Sequence, residues 1–361
     1  MTSSTDLTTV RLGTRPSPMA LEQTGRFADV FRARYPQVVL DIVEIVSEGD
    51  RHRGPLSTIG GKGAFTRNAD RYLLDGRVQA TIACAKDVPG PHDRSPGIVI
   101  AAVLPREDTR DALVLPTGHP VTTLAELPPG TRVGTSAPRR SALLKALHPT
   151  LVQVPIRGNA DSRLRALDAG RLGADVMIAA LAGLRRLGHE DRASEILDPA
   201  VWLPAAGAGT VIVEHRSDDP ATGWLLARLT HVPTRILLDA ERAALATLHG
   251  GCLTAASAHA TLDAVAGVVT VHAAVLDPAG GTLCAPARPV PRRRLTLSGG
   301  MQAGNYSAPG QHGFSDDPRD RTSGWVRAEA GPGRVPRPSC PTARGVVCGG
   351  RPVGGSRCAW G

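Results

Sequence analysis

Apolar and polar positions alternate along residues 8–104 in short blocks that predict strands and helices in turn. Residues 9–13, 38–46 and 78–84 are short runs rich in apolar, often β-branched side chains, which favour strands. Residues 19–34 carry apolar side chains at helical spacing, which predicts an amphipathic helix between the first two strands. This stretch therefore has the strand–helix order of an α/β unit.

A comparable series begins near residue 111. The pattern again predicts alternating strands and helices, with the strands at 132–134, 152–156 and 174–180. Strands separated by helices imply sheets covered on both faces, and binding sites in such sheets lie where strands end and helices begin. We therefore expect functional residues directly after the strands.

The chain changes character twice in its later part. From about Trp224 a helix-rich stretch precedes a strand-rich one, which predicts a smaller α+β unit. Beyond Pro289, proline, glycine, arginine and serine dominate without strand or helix periodicity. That composition is typical of a disordered tail and equally of a translated frameshift, and it predicts no folded core.

The net charge of +9 would favour a nucleic-acid partner if it were spread over the folded part. Residues 291–361 contain eleven arginines and four acidic residues, so this segment alone contributes +7. Residues 1–290 carry only +2, and aromatic residues make up 3% of the chain, too few for base-stacking platforms. We expect no nucleic-acid partner.

No membrane, secretory or metal signal stands out in the sequence. The first residues lack the positive patch and apolar core of a secretory signal, and the longest apolar runs are too short to cross a bilayer. The six cysteines have no C-x-x-C spacing, and no histidine pattern completes a zinc site. We expect a cytoplasmic chain without a membrane partner or a metal.

Arginines occupy many of the positions where the pattern predicts strand ends and first helical turns. Arginine binds carboxylates bidentately and a helix N-terminus favours an anion, so the set indicates a cleft for a substrate with several carboxylates. Each arginine alone is more typical of a solvated surface or of a structural ion pair than of a binding site. The set comprises Arg15, Arg139, Arg140, Arg157, Arg163 and Arg186.

Four further residues suggest chemistry. Lys62 belongs to a Gly-Gly-Lys-Gly segment without the spacing of a phosphate-binding loop, so we expect no nucleotide. Lys86 precedes Asp87, a carboxylate after an apolar strand that could stabilise a cation, move a proton or simply end a turn. Cys252 follows two glycines that leave its thiol open to covalent bond formation, although isolated cysteines are more often small buried apolar residues.

Ten short motifs occur in one order along residues 13–252. They are GTRPSPMALEQ (13–23), GGKGAF (60–65), KDVP (86–89), REDTRDA (106–112), GTS (134–136) with RR (139–140), RGN (157–159) with RL (163–164), LAGLRRLG (181–188), LPAAG (203–207), ER (241–242) and GGC (250–252). Each motif is weak alone, but their joint order is highly specific. On these motifs the chain resembles the porphobilinogen deaminase family from about Val10 to Leu276.

The resemblance implies an α/β fold with two similar domains like those of type II periplasmic binding proteins, and a small α+β third domain that carries the cofactor. The active site would lie in a cleft between the two similar domains. The implied boundaries are 1–104 with 203–221 for domain 1, 105–202 for domain 2, 222–290 for domain 3, and 291–361 for a disordered or aberrant tail. We expect a monomer.

The resemblance also implies a transferase of porphyrin biosynthesis that condenses four porphobilinogen molecules head to tail, with release of ammonia, to give hydroxymethylbilane. The growing chain would start from a dipyrromethane cofactor joined to Cys252 by a thioether. The matching positions assign catalysis to Asp87 and Lys86, and cofactor contacts to Lys62, Thr135, Ser136, Arg139 and Arg140. The substrate contacts implied are Arg15, Ser17, Gln23, Phe65, Arg157, Arg163 and Arg186.

The chain departs from the family pattern around this implied site. Ala83, Cys84 and Ala85 replace a His-Ser-Met run, Ala137 and Pro138 replace a Ser-Leu pair, and Ala208 replaces a glutamine. The main alternative is therefore a paralogue that binds pyrroles or tetrapyrroles without efficient turnover. A type II solute-binding protein is a second alternative, disfavoured by the absent signal peptide and the added Gly-Gly-Cys domain.

Overall fold

The computed structural model describes residues 8–51, 63–248 and 255–278. The first sheet has five strands, which are β1 (Thr9–Thr14), β2 (Val39–Glu44), β3 (Ala80–Cys84), β4 (Ile98–Val103) and β10 (Val211–Arg216). Their order is β2-β1-β3-β10-β4. β1 runs parallel to β2 and β3, whereas β10 lies antiparallel between β3 and β4.

The second sheet repeats this arrangement. Its strands are β5 (Asp111–Val114), β6 (Arg132–Gly134), β7 (Val152–Val154), β8 (Val176–Ala180) and β9 (Glu195–Ile196), in the order β7-β6-β8-β5-β9. β6 runs parallel to β7 and β8, and β5 is antiparallel to β8 and β9. In both sheets the strand in the fourth position is antiparallel to the third; β10 comes from much later in the chain than its neighbours, whereas β5 directly precedes β6. This shared order confirms the expected fold class of two similar α/β sheets.

Some of the helices begin at side-chain caps. The side chain of Ser17 accepts from the N–H of Ala20 at 3.4 Å, and that of Asn159 accepts from Ser162 at 2.8 Å. Within the described ranges no helix is both long and apolar enough to span a bilayer. The α-helices are α1 (Pro18–Arg34), α2 (Glu48–Arg51), α3 (Arg67–Leu74), α4 (Pro138–Leu147), α5 (Ala160–Asp168), α6 (Leu181–Arg186), α7 (Pro220–Ala227) and α8 (Val232–Thr247).

Apolar helix faces cover the sheets. Phe27 and Phe31 on α1 are fully buried and share a cluster with Leu12 of β1. Leu143 on α4 is likewise buried beside Val133 of β6. Fully burying one such side chain stabilises the fold by about 1.5–3 kcal/mol, so these faces fix each helix on its sheet. The helix predicted at 19–34 is confirmed.

Two segments connect the sheets and run side by side. The N–H of Leu104 donates to the carbonyl of Val211, and the N–H of Glu107 donates to that of Gly209, both at 3.0 Å. Gly209 has a φ of +72°, and a Cβ there would lie 2.3 Å from the Glu107 carbonyl oxygen, so only glycine fits. The chain therefore crosses between the sheets twice through one narrow bridge.

A third unit packs α8 against the antiparallel hairpin of β11 (Ala256–Asp263) and β12 (Val268–Val275). Glu241 of α8 is fully buried. It accepts from Arg106 Nη2 at 2.8 Å and from the backbone N–H groups of Gly207 and Ala260, each at 2.7 Å. Arg106 and Gly207 belong to the two connections, so one carboxylate joins the third unit to both.

Candidate active site

The residues singled out in the sequence follow the carboxyl ends of parallel strands in both sheets. The space between these two sets of strand ends is called the cleft below. Side chains from opposite sheets meet across it, as expected for sites in α/β folds. Arg15 follows β1, Asp87 follows β3, Arg139 and Arg140 follow β6, Arg157 follows β7, and Arg186 ends the helix after β8.

Asp87 ends a short 3-10 turn, Ala85–Asp87, that comes directly after β3. Asp87 and its neighbour Lys86 are half-buried. Gly207, with a φ of +73°, lets the second connection pass close to this turn, since a Cβ there would lie 2.8 Å from the Cβ of Ala85. The turn is thus held between the end of a buried strand and the bridge between the sheets.

Cys84 lies where the two sides of the cleft meet. Its thiol donates to Gln23 Oε1 at 3.4 Å and accepts from Arg186 Nη1 at 3.7 Å, so it joins α1 of the first sheet to α6 of the second. Burial and the nearby Asp87 raise the pKa of the thiol against the opposing effect of neighbouring cations. Cys84 is therefore a neutral thiol that holds an amide and a guanidinium in place.

Arg15, Ser17 and Phe65 surround the beginning of α1. The guanidinium carbon of Arg15 lies 4.4 Å from the centre of the Phe65 ring, a cation–π contact. Gly49 lies against the same ring, because a Cβ there would come within 2.5 Å of it. Arg157 Nη2 donates to the carbonyl of Gly49 at 3.2 Å across the cleft, while Ser17 caps α1.

Arg139 and Arg140 occupy the first turn of α4. Arg139 Nη1 donates to the carbonyl of Leu203 at 2.8 Å, and Arg140 Nη1 donates to that of Ile178 at 3.1 Å. Both guanidiniums also form ion pairs with the buried carboxylate of Asp111. The structure thus places these two arginines together and gives both an internal anion.

Thr135 and Ser136 hold the ends of β6 and β7 beside that arginine pair. Ser136 Oγ donates to the carbonyl of Ile156 at 2.5 Å and accepts from its N–H at 3.0 Å. Thr135 is buried, and its Oγ1 accepts from the N–H of Ala137 at 3.3 Å. Both hydroxyls therefore shape the loop between β6 and α4.

Arg163 of α5 adds a positive charge near Arg140 and Arg157. Its Nε is buried with no hydrogen-bond partner among the described residues, and its Nη2 reaches the Ile156 carbonyl only at 3.5 Å. Burial, with Arg140 and Arg157 nearby, lowers the pKa of Arg163 to about 10, while Asp87 opposes the shift. A half-buried guanidinium whose buried Nε has no hydrogen-bond partner among the described residues is costly, so this corner fits a group that carries carboxylates.

Comparison with known proteins decides the family. Residues 10–223 match the family model described as porphobilinogen deaminase, dipyromethane cofactor binding domain. The chain is 42% identical to porphobilinogen deaminase 2 of Streptomyces coelicolor over 271 residues, covering 75% of this chain and 85% of that one. It is 41% identical to porphobilinogen deaminase of Sorangium cellulosum over 277 residues, covering 76% and 89%.

The chain belongs to the porphobilinogen deaminase family. Among solved structures, the methionine-binding protein MetQ covers 62% of this chain and 90% of its own, with 12% identity and a TM-score of 0.41. That similarity is too slight to bear on the fold, which the two sheet orders establish. The matched family domain contains Asp87, Cys84 and the six arginines of the cleft.

Two charged residues of this family member were not assigned roles from the sequence. Asp111 follows the charged but net-neutral segment REDTR (106–110) and opens a strand of apolar residues, and Glu241 lies within an amphipathic helix. A carboxylate at the edge of an apolar run signals a buried ion pair, because buried acids are rarely left unpaired. Lys62 and Cys252, which the sequence did single out, lie outside the described residues.

Proposed function

We propose that this chain is a hydroxymethylbilane synthase, the activity of porphobilinogen deaminase, which joins four porphobilinogen molecules head to tail with loss of ammonia. The observation that carries the proposal is the family match over residues 10–223, which contains Asp87 and the arginines of the cleft. The geometry supports it, because a carboxylate and several guanidiniums lie around one cleft.

The residues present fit a dipyrromethane cofactor. Such a group carries four carboxylates, and Arg163 supplies a buried guanidinium nitrogen without an acceptor among the described residues. We infer that Arg139, Arg140, Thr135, Ser136 and Lys62 surround it, with Cys252 as the covalent attachment point. When bound, the dipyrromethane supplies the pyrrole carbon to which each new unit is joined.

Asp87 is proposed as the main catalytic residue. Porphobilinogen that loses ammonia becomes an electrophilic azafulvene, whose positive charge spreads to the pyrrole nitrogen. A carboxylate next to that nitrogen stabilises the developing charge. The adjacent Lys86 places an ammonium in the same turn, where it can donate a proton to the departing group.

Substrate carboxylates are proposed to bind the arginines on both sides of the cleft. Arg15 lies over Phe65 beside the cap of α1, and Arg186 is held by Cys84 and by the carbonyl of Gly209 at 3.2 Å. Clamping the acetate and propionate groups from opposite sheets would fix the pyrrole ring relative to Asp87. Ser17, Gln23, Arg157 and Arg163 complete the proposed binding set.

The domain division inferred from the sequence is part of the proposal. Residues 1–104 with 203–221 would form domain 1, residues 105–202 domain 2, and residues 222–290 domain 3. The membership of β10 in the first sheet and of β5 to β9 in the second supports this division. The buried contacts of Glu241 support a third unit attached at the bridge.

The full chain incubated with porphobilinogen tests the activity. We expect release of ammonia and formation of hydroxymethylbilane, and an intact mass higher than that of the sequence by two condensed porphobilinogen units. Peptide mapping should place the adduct on Cys252, and Cys252→Ala should show the bare mass and no synthesis. Cofactor or pyrrole binding without product would favour the non-catalytic paralogue, and a freely alkylated Cys252 in reconstituted, active protein would disprove the attachment.

A further inference from the structure

The chain between β3 and β4 carries Asp87 in its first turn, and residues 85–94 are called the 85–94 segment below. Its two ends are fixed at or beside β10. The N–H of Ala85 donates to the carbonyl of Thr210 at 2.9 Å, and Arg94 forms an ion pair with the buried carboxylate of Glu214. The middle of the segment must be held by other contacts.

Two prolines leave the middle of the segment with few backbone donors. Pro89 and Pro91 have no N–H group, so the backbone of each can be held only through its carbonyl. Val88, Pro89 and Gly90 are buried, and a buried carbonyl needs a hydrogen-bond donor. A side chain of α8 supplies one, since Arg242 Nη2 donates to the carbonyl oxygen of Pro89 at 3.1 Å.

A second contact of α8 with the segment lies one helical turn further along. Nε2 of His92 forms a hydrogen bond with the carbonyl oxygen of Ala246 at 3.2 Å, and positions 242 and 246 share one face of the helix. Arg242 also lies near the ion pair that ends the segment: burial and Arg94 lower its pKa, while Glu214 opposes the shift. α8 therefore lies along the 85–94 segment and contacts it at two points.

We propose that Arg242 is a positioning residue that places the carboxylate of Asp87 by binding the carbonyl of Pro89. The inference rests on the proposed function, since it concerns the residue proposed to stabilise the developing charge. Such stabilisation requires a carboxylate that is fixed before the reaction, and a misplacement of about 1 Å can cost about 10²-fold in rate. Without Arg242 the Pro89 carbonyl loses its charged donor, and the turn that ends at Asp87 can shift.

The first test needs no turnover. Hydrogen exchange of the full chain, followed by mass spectrometry of its peptides, compares Arg242→Met with wild type. We expect peptides from the 85–94 segment to exchange about tenfold faster, the factor that corresponds to one lost charge-assisted hydrogen bond. Arg235→Met is the matched control, because this arginine of α8 donates from Nη1 to the carbonyl of Ile100 on β4 at 3.1 Å. Its loss should leave exchange in the 85–94 segment unchanged.

The second test measures the rate constant with which one pyrrole unit is added, by rapid quench and intact mass. This rate constant does not depend on the active fraction, which a purely structural defect would lower. Arg242→Met should lower it about tenfold and leave the porphobilinogen concentration for half-maximal rate within about twofold, because the proposed substrate contacts lie on other residues. Arg235→Met should alter neither quantity.

A double-mutant cycle shows whether Arg242 acts through Asp87. Asp87→Glu keeps a carboxylate but moves it by one methylene, so the benefit of correct placement is already lost. In that background Arg242→Met should lower the rate constant about twofold or less, instead of about tenfold. A role in stability alone would cost the same factor in both backgrounds.

The outcomes separate this inference from the proposed function. Folded Arg242→Met with the exchange and the rate constant of wild type overturns the positioning role, and so does an equal loss in the wild-type and Asp87→Glu backgrounds. If Arg242→Met does not fold, Arg242→Gln replaces it, with a shorter neutral side chain, and the same null results overturn the role. Wild-type protein that adds no pyrrole contradicts the proposed function instead, and the exchange comparison then still measures the contact of Arg242 with the segment.

Discussion

Arg242 Nη2 donates a hydrogen bond to the carbonyl oxygen of Pro89 at 3.1 Å, two residues beyond Asp87. The preceding residue on α8, Glu241, binds both connections between the sheets. Consecutive residues of one helix therefore hold the turn that carries Asp87 and the bridge on which the sheets are joined. In the sequence Cys252 follows the end of α8 by five residues. The same helix therefore contacts the turn of Asp87, contacts the bridge between the sheets, and precedes the proposed attachment residue.

Glu241→Gln is expected to destabilise the whole chain. Removing the charge leaves Arg106 buried with a neutral partner, and breaking a buried pair typically costs about 3–5 kcal/mol. Urea denaturation should show the midpoint falling without a change in slope. Glu22→Gln is the matched control, because Glu22 pairs with Arg26 on the surface of α1, and its loss should cost about 0–1 kcal/mol. Equal midpoints for the two variants would refute the structural role of Glu241.

Asp87→Ala is expected to abolish most condensation while preserving the fold. The carboxylate is half-buried in a turn, so few packing contacts are lost. Losing electrostatic stabilisation at such a site costs about 10²–10³ in rate. Asp75→Ala, an exposed position after α3, is the control with full activity and the same circular dichroism. Production of hydroxymethylbilane at the wild-type rate by Asp87→Ala would remove Asp87 from the mechanism.

Arg163→Met is expected to separate activity from stability. The buried guanidinium has no acidic hydrogen-bond partner among the described residues, so an apolar side chain there should leave the free energy of unfolding unchanged or higher. Turnover should fall about tenfold or more, because a charge-assisted contact to a substrate or cofactor carboxylate is lost. Arg165→Met on the same helix replaces a side chain that is 73% exposed and should alter neither quantity. Parallel losses of stability and turnover would contradict the anion-binding role.

Glu214 gives the stability of the first sheet a distinctive pH dependence. Burial, opposed by Arg94 and reinforced by Asp70, raises its pKa from 4.5 to about 7. Between these values the folded chain keeps a proton that the unfolded chain releases, so this residue makes stability fall as pH rises, by at most about 1.4 kcal/mol per pH unit. Urea titrations from pH 5 to 8 should show a flatter profile for Glu214→Gln than for wild type or for the exposed Glu44→Gln. Identical profiles for all three proteins would disprove the raised pKa.

The sequence predicted the elements that repeat a pattern often enough to be recognised. The 17 residues of α1 repeat their apolar spacing over several turns, β3 is a continuous apolar run, and Asp87 was expected directly after that strand. The strand at 132–134 was predicted with the bounds that the structure shows, but Glu195–Ile196 has only two residues, which is too short to show a period, and it depends on its neighbour in the sheet. Its pairing is a tertiary effect.

Charge partners were harder to predict than charge positions. Arg139 and Arg140 were expected beside the cleft, and the structure places them there. Their pairing with Asp111 joins residues 28 and 29 positions apart, and no local rule selects that acid among those nearby. Packing therefore decides which arginines can bind a substrate carboxylate and which are used in internal ion pairs.

The antiparallel strand in the fourth position of the first sheet also determines the order in which the protein can be built. β10 lies between β3 and β4, yet the ribosome makes it about 100 residues after β4, whereas every strand of the second sheet falls within residues 111–196. All strands of the second sheet can therefore pair while the first sheet still lacks β10, the strand that joins β3 to β4. Until residue 216 emerges, a nascent chain exposes the unpaired edges of β3 and β4, which are the places where chaperones or other nascent chains would bind.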